Sequence, residues 1–501
     1  MGISRELDEL KERVGDFAPY DHEQAQIFRY RKQMGTNLGS MFCLEPWIST
    51  DIYAGYEDEN PEAEGDLLEC MGPHCRERME AHWDSWVQRS DFERMASLGI
   101  NAVRLPVGYW VLGHGFTSGK YSAHAEAYEH ALMYIGRVIR WAAEFDIGVL
   151  IDIHAVPGGQ NNDSHSGVTG PPQFYDNPGH QDLALKCYQA FTHLFANVTN
   201  IIGLQIINEP LDNPQLEGFY VRALEQIRSQ SADLPIYIGD AWNLAKYAAF
   251  VKNHRDWLSF VVVDTHRYWV FRPEEEQYRV DRLTQELWEK EVPELAQASG
   301  ELNGNLVVGE YSSVLANGSF DGEDPGECMG RFAREQLRAF DRVAAGTFYW
   351  TWRLQHDSWF WSMQFAIDHG AMPSGFFPFN WSTAASLSRD ELVRMAEEHR
   401  DEWREQHLQG HKDYVSQWDG EFGFAHYAAG FDKGLDTALK FFGQLQSPSR
   451  LGFVKQLAVE HSGHYAQEHG GEQWRWEYED AFREANEKFS GFASDVLRQA
   501  E

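Results

Sequence analysis

The stretch Ile201-Ile-Gly-Leu-Gln-Ile-Ile-Asn208-Glu209-Pro210 runs seven residues with a single polar side chain, then ends on an amide and a carboxylate. A run this continuous, rather than alternating, reads as a strand buried on both faces, as in a parallel sheet. Upstream of it the same kind of run recurs at Gly35-Thr-Asn-Leu, Ala102-Val-Arg-Leu and Gly148-Val-Leu-Ile-Asp-Ile. Downstream come Pro235-Ile-Tyr-Ile, Ser259-Phe-Val-Val-Val, Asn305-Leu-Val-Val-Gly and Gly346-Thr-Phe-Tyr-Trp. Segments such as 127–144 lie between them, with apolar residues at helical spacing. Eight strands with intervening helices over about 320 residues predict an α/β fold, a (β/α)8 TIM barrel. The rival, a doubly wound open sheet, would place a Gly-rich phosphate loop after an early strand, and no G-x-G-x-x-G stands there.

Polar residues fall where a barrel needs them, at the C-terminal ends of the strands. Arg104 ends the second, Asp152 and His154 the third, Asn208 and Glu209 the fourth. Asp240 follows the fifth, His266 the sixth, Glu310 the seventh, and Trp350 the eighth. In a barrel those ends converge on one mouth. A carboxylate at the end of an apolar strand loses hydration unless something uses it. Taken alone, Glu209 also fits the first turn of a helix. Gly309-Glu310-Tyr311 repeats the arrangement three strands later, and two such carboxylates across a small gap are what glycoside hydrolysis requires.

Composition excludes other classes. The formal net charge of −34 opposes binding to nucleic acid or to an anionic membrane surface, both of which need a basic footprint. No apolar run is long enough for a membrane span, and the opening residues, with Leu7, Leu10 and Val14 at helical spacing, do not form a secretory leader. Five cysteines (Cys43, Cys70, Cys75, Cys187 and Cys328) without paired clusters argue against a structural zinc site. These features together predict a cytoplasmic protein. The chain is expected to comprise a helical lead-in over 1–32, a catalytic barrel over 33–382 and an acidic helical C-terminal extension over 383–501. In that extension Tyr427-Ala-Ala-Gly-Phe431 and Tyr478-Glu-Asp-Ala-Phe482 share an aromatic spacing.

The ordered set Arg104-Leu-Pro, Asp152-Ile-His154, Asn208-Glu209-Pro210, His266-Arg-Tyr268 and Gly309-Glu310-Tyr311 resembles glycoside hydrolase family 5. Within it the chain is similar to the fungal exo-β-1,3-glucanase branch. The likeness rests on Asn37-Leu-Gly-Ser-Met-Phe-Cys-Leu-Glu45-Pro, Gly99-Ile-Asn-Ala-Val-Arg104-Leu-Pro-Val-Gly-Tyr-Trp110, His154-Ala-Val-Pro-Gly-Gly-Gln-Asn161 and Phe348-Tyr-Trp-Thr-Trp352. The resemblance covers residues 33–380 and implies a retaining β-glucosidase or exo-β-1,3-glucanase acting on a β-glucoside or β-glucan. It makes Glu209 the general acid/base and Glu310 the nucleophile. It further implies that Arg104 and Tyr268 hold Glu310, that Asn208 meets the sugar 2-hydroxyl, and that His154 and His266 bind hydroxyls or brace the carboxylates. Trp350 floors the sugar subsite while Trp352 packs in the wall. Glu45 reads the non-reducing end, and Phe271 is one jaw of an aromatic clamp at the entrance. The chemistry would set the two glutamates apart, Glu209 with a raised pKa and Glu310 ionised. No cofactor and no metal is expected, because the histidines lack metal-ligand spacing such as H-E-x-x-H.

The loop after Asn161 departs from the secreted branch, reading Asn-Asp-Ser-His-Ser-Gly where that branch carries Gly-Phe-Asp-Asn-Ser-Gly. Asp163 thus stands in place of the second clamp phenylalanine, and an aspartate cannot stack on a sugar. A small glucoside, a β-1,6-glucan or a glycolipid therefore competes with laminarin as the expected substrate. A non-catalytic sugar-binding barrel is the remaining alternative, disfavoured because both glutamates and their partners are present.

Overall fold

The computed structural model describes residues 2–356, 359–375 and 388–500. Two compact units emerge, one of residues 1–29 with 33–374 and the other of residues 30–32 with 375–501. The domain boundary expected at 382/383 falls outside the described residues.

The larger unit is a closed barrel of eight parallel strands in sequence order. They are β1 (Gln33–Asn37), β2 (Ala102–Gly108), β3 (Gly148–Ala155), β4 (Ile201–Gln205), β5 (Ile236–Gly239), β6 (Val261–Trp269), β7 (Leu306–Leu315) and β8 (Gly346–Tyr349). All but β1, whose sequence is Gln-Met-Gly-Thr-Asn, stood out by their apolar residues, and β2, β3 and β7 are buried along their whole length. The helical spacing at Leu7, Leu10 and Val14 belongs to a helix over Gly2–Val14, and all three side chains are buried.

Three strands overshoot the expectation: β2 continues past Arg104 to Gly108, and two others carry catalytic groups. β6 and β7 continue past His266 and Glu310, so these residues sit within strands rather than at their ends. The β6–β7 register shifts between Thr265 and His266, which sets His266 directly opposite Glu310. A second shift on β7 falls between Val308 and Tyr311, across Glu310 itself. Such irregularities re-aim side chains next to active sites.

Between β1 and β2 the chain inserts short helices, including Glu64–Met71 and Cys75–Trp86. Glu64 anchors this insertion from a fully buried position. Its carboxylate accepts from the Leu44 backbone N–H at 2.6 Å, from Trp110 Nε1 at 2.9 Å and from the Tyr128 hydroxyl.

The smaller unit is helical. The expected aromatic motifs face each other from the helices Phe424–Gly443 and Arg475–Ala500, around a core that includes Tyr427, Phe431, Phe442, Ala481, Ala485 and Phe489. Gly430 permits their close approach: a Cβ there would lie 2.2 Å from the Tyr478 carbonyl oxygen.

Candidate active site

The side chains singled out at the strand ends gather at one mouth, save Asp240, which accepts from Thr265 Oγ1 at 2.6 Å and from the Trp242 N–H at 3.0 Å and does not line the pocket. At its base lies Arg104, fully buried in β2. Its guanidinium donates to Asn37 Oδ1 (2.9 Å), Gln205 Oε1 (2.9 Å), Asn208 Oδ1 (2.6 Å) and Glu310 Oε1 (2.9 Å), and it pairs with Asp152 Oδ2 at 3.0 Å. One rigid fork thereby orients residues in or just after four other strands, β1, β3, β4 and β7. Tyr268 donates to the other oxygen of Glu310 at 2.7 Å.

Glu209 follows β4 with φ of +41°, so it does not begin a helix; the next helix starts at Leu216. This left-handed backbone costs on the order of 1–3 kcal/mol for a non-glycine residue, and such strain persists only where the surroundings over-determine it. Here the loop after β3 holds it. Gln160 Nε2 donates to the Asn208 carbonyl at 3.0 Å and Asn161 Nδ2 to the Glu209 carbonyl at 2.9 Å. Asn208 accepts from Arg104 through its oxygen and turns its amide nitrogen toward His154 Nε2 at 3.5 Å. His154 Nδ1 in turn donates to Asp152 at 2.6 Å, and burial keeps the ring neutral by holding its pKa well below the ordinary value.

His266 stands between the two glutamates. Its Nδ1 lies 2.7 Å from Glu209 Oε1 and 3.3 Å from Glu310 Oε2, and its Nε2 lies 3.3 Å from Asp264 Oδ2. Burial opposes a charge on the ring, but Glu310, Asp264 and the bond to Glu209 outweigh it and push the pKa well above the ordinary imidazole value. Burial would also raise Glu209, yet the hydrogen bond and charge of His266 bring it well below the usual carboxylate range. Glu310 is raised, by burial and by facing Glu209, despite His266 and Arg104. The shifts therefore run against the expected order, with Glu209 the lowered carboxyl of the pair and Glu310 the raised one. The physical reason is that the shared proton sits on His266, hydrogen-bonded to Glu209, which makes Glu209 the better-compensated anion.

Above these groups opens a pocket of about 490 Å³, within the range of small-molecule sites. Trp350 forms one wall with its ring parallel to His154, 5.5 Å between centroids. Glu45 closes another side. It is 4% exposed; Oε2 accepts from Trp47 Nε1 at 2.8 Å, and buried Oε1 has no hydrogen-bond partner. Burial, together with Glu310, Glu209 and Asp163, pushes its pKa up to about 8. Phe271 stands at the rim, 70% exposed, and Asp163 lines the same opening. Trp352 is buried away from the pocket and bonds Asp91, as expected of a wall residue.

The sequence reading assigned no role to five lining residues: Trp47, Ser164, His165, Trp242 and Trp361. Trp361 stacks on Phe271 at 26° and 6.0 Å. Trp242 follows β5 at φ +60°, 58% exposed, held by a hydrogen bond from its N–H to Asp240 Oδ1. Trp47 lies two residues after Glu45, and Ser164 and His165 lie in the loop that departs from the secreted branch, whereas Trp242 and Trp361 lay beside no recognised motif. Two donor sets here are close enough to surround a cation, Glu209–His266–Glu310 and Asp163–His165–Glu209. In the first, both nitrogens of His266 already face carboxylates as hydrogen-bond donors. In the second, Asn161 Nδ2 occupies the lone pair of His165 Nε2 at 2.8 Å. Both patterns suit proton handling better than ligation.

Paired carboxylates at the C-terminal mouth of a barrel, over a sugar-sized pocket, define the glycoside hydrolase class. Residues 73–355, more than half of the chain, match the family described as Cellulase (glycosyl hydrolase family 5), and the chain belongs to that family. Residues 396–493 match the Glucan 1,3-beta-glucosidase 3 C-terminal domain. Glucan 1,3-beta-glucosidase 3 of Schizosaccharomyces pombe is 29% identical over 440 residues, covering 86% of this chain and 90% of that protein. Glucan 1,3-beta-glucosidase 2 of Wickerhamomyces anomalus is 27% identical over 409 residues, covering 72% and 90%. Among solved structures, rutinosidase from Aspergillus niger shares the fold with a TM-score of 0.57 at 19% identity, covering 69% of this chain and 98% of that one. Among the described residues no helix is long and apolar enough to cross a membrane.

Proposed function

We propose that the protein is a retaining exo-β-glucosidase that releases one β-linked glucose from the non-reducing end of a glucan or glucoside. The observation that carries this reading is that an oxygen of Glu209 and an oxygen of Glu310 lie within 4.8 Å. That separation suits direct attack by one carboxylate, since inverting pairs stand roughly 6.5–9.5 Å apart to admit water. In the first step the Glu310 carboxylate bonds the anomeric carbon as the glycosidic C–O bond breaks, and Glu209 gives its proton to the departing oxygen. In the second, Glu209 takes a proton from water, whose oxygen displaces Glu310. The proton Glu209 needs has its source 2.7 Å away on His266. Exo action follows from Glu45, whose unpartnered buried oxygen offers an acceptor to a terminal hydroxyl. Likeness to the two glucan 1,3-beta-glucosidases supports glucose as the sugar.

The rim favours a particular leaving group. With Asp163 on the loop after β3, that loop offers no ring to stack on a sugar beside Phe271, so a small glucoside, a β-1,6-linked disaccharide or a glucosylated lipid competes with laminarin. Five free thiols, four of them buried, suit a reducing compartment such as the cytoplasm.

The test is hydrolysis of an aryl β-glucoside, laminarin, gentiobiose and glucosylceramide, followed by NMR. The first-formed sugar is expected to be the β-anomer. Glu310→Gln should abolish turnover. Glu209→Ala should lower it by about 10²–10⁴-fold on poor leaving groups, with azide restoring activity and yielding β-glucosyl azide. First-formed α-glucose would overturn retention. No turnover of any substrate, with Glu310→Gln binding sugar as well as wild type, would favour the binding barrel.

A further inference from the structure

Asp240, buried at the end of β5, is a carboxyl that the chemistry above leaves unused. It opens the turn Asp240-Ala241-Trp242-Asn243, which the Asn243 N–H closes on the Asp240 carbonyl at 2.8 Å. Both central residues have a positive φ, +49° at Ala241 and +60° at Trp242. Turns of that kind belong to Gly, Asn and Asp, and a bulky side chain there is an outlier. Such strain persists only where the surroundings over-determine it. Burial does not repay it, because Trp242 is 58% exposed and lines the pocket.

The Asp240 carboxyl holds the turn from inside. Its Oδ1 accepts from the Trp242 N–H at 3.0 Å and its Oδ2 from Thr265 Oγ1 on β6 at 2.6 Å. The far end is fixed as well, since Asn243 caps the next helix by accepting from the Lys246 N–H and donates to Asp212 Oδ2 at 3.1 Å. Burial raises the Asp240 pKa, against Arg267 and the bond from Thr265. The hold survives either protonation state, because Oδ1 needs only to accept, while Oδ2 can accept from the Thr265 hydroxyl or donate to it.

The place of Trp242 sets which part of a substrate it meets. β5 lies across the closed barrel from β1, which leads to Glu45, and beside β4, which leads to Glu209. The indole stands edge-on to His266, at 89° and 6.2 Å between centroids, and His266 bonds Glu209. A glucose whose end meets Glu45 therefore has its leaving group on the Trp242 side, next to Glu209. We propose that Asp240 is a positioning residue that fixes Trp242 as a platform for a leaving group with a flat apolar face, an aryl ring or a second sugar. This deepens the glucosidase reading and rests on it. A platform already held in place spares the entropy of ordering an exposed side chain on binding.

The experiment compares wild type, Trp242→Ala, Asp240→Ala, Asp240→Asn and the double variant Asp240→Ala/Trp242→Ala. The substrates are 4-nitrophenyl β-glucoside and β-glucosyl fluoride, whose leaving group carries no ring. Trp242→Ala and Asp240→Ala are each expected to lower kcat/KM on the aryl glucoside about tenfold, mainly through KM, and to change it on the fluoride by less than about twofold. The double variant should lose no more than Trp242→Ala alone, as for two residues that act through one contact. Asp240→Asn should stay near wild type, because its amide oxygen can accept from the Trp242 N–H while its NH2 donates to Thr265 Oγ1. If Asp240→Ala does not fold, the same substitution combined with Ala241→Gly, which relieves one positive φ, gives the reading. Equal losses on both substrates in Asp240→Ala, additive losses in the double variant, or unmoved kinetics in Trp242→Ala would overturn the proposal and leave the glucosidase reading intact. Failure of wild type on both substrates would overturn that reading, and this inference with it.

Discussion

At the scale of single residues the site is a problem in sharing few protons among many acids. Glu45 and Glu64 are both fully buried, and burial pushes them up to about 8 and about 7 from an ordinary value near 4.5. A carboxyl whose folded pKa is raised binds its proton more tightly when folded. Between pH 4.5 and 8 unfolding therefore releases protons, and stability falls as pH rises, by up to about 1.4 kcal/mol per pH unit for each group. Thermal melts should accordingly peak near pH 5 and decline toward pH 8, and Glu45→Gln should remove part of that slope. Parallel curves for wild type and Glu45→Gln would show that Glu45 is ionised throughout. The residues legible in the sequence (Arg104, His154, Asn208, Glu209, His266, Tyr268, Glu310 and Trp350) all sit in or beside strands, where local pattern fixes their place. What was not legible was the partner of each proton. Asp264, in contact with Gln205 and His266, is one apolar-strand aspartate in sequence, and only the closed barrel brings it under the site.

At the scale of elements, strands place the carboxylates and loops hold them. β7 carries Glu310 directly after Gly309, and the reason for glycine is spatial: a Cβ there would lie 2.0 Å from Asp264 Oδ1. Asp264 cannot move away cheaply, since it accepts from Gln205 at 2.7 Å and faces His266 and Arg104. Gly309→Ala should displace β7 from β6 and, with it, Glu310 from Arg104. A loss of about 10²-fold in kcat/KM is expected, because misplacement of about 1 Å can cost that much, together with destabilisation of about 1–3 kcal/mol from overpacking. Kinetics on an aryl glucoside and a urea melt would measure both; wild-type kinetics in a folded Gly309→Ala would contradict the account. Most of the strands were legible because each is a predominantly apolar run, whereas β1, Gln-Met-Gly-Thr-Asn, was placed by its position at the head of the series. The overshoot of β6 and β7 was not, because it depends on register shifts between neighbours and not on composition. Nor was the grip of Gln160 and Asn161 on the Asn208–Glu209 backbone, a contact between loops 48 residues apart in sequence.

At the scale of the molecule, two cores with different chemistry share one chain of net charge −34. The barrel is held by apolar strands around a buried Arg104 network. The C-terminal unit is a helical bundle whose core carries a buried carboxylate hydrogen-bonded to an imidazole. Glu477 is fully buried; its Oε2 lies 2.7 Å from His411 Nε2 and its Oε1 accepts from the Gly423 N–H at 2.6 Å. His411 stacks on Tyr427 at 4.2 Å, and Tyr427 bonds Glu484, so the pair ties three helices of the bundle together. Removing one partner of such a pair strands the other without compensation, at a cost of roughly 3–5 kcal/mol. Since the catalytic groups all belong to the barrel unit, the damage should be confined. Calorimetry of the full chain is expected to show two transitions, as multi-unit proteins do. Glu477→Ala should lower one of them by roughly 10 °C and leave the other in place. Turnover of an aryl glucoside below the first transition should stay within twofold of wild type. If instead a single transition moves as a whole and activity is lost with it, the two cores unfold as one cooperative body and the barrel depends on the bundle for its stability.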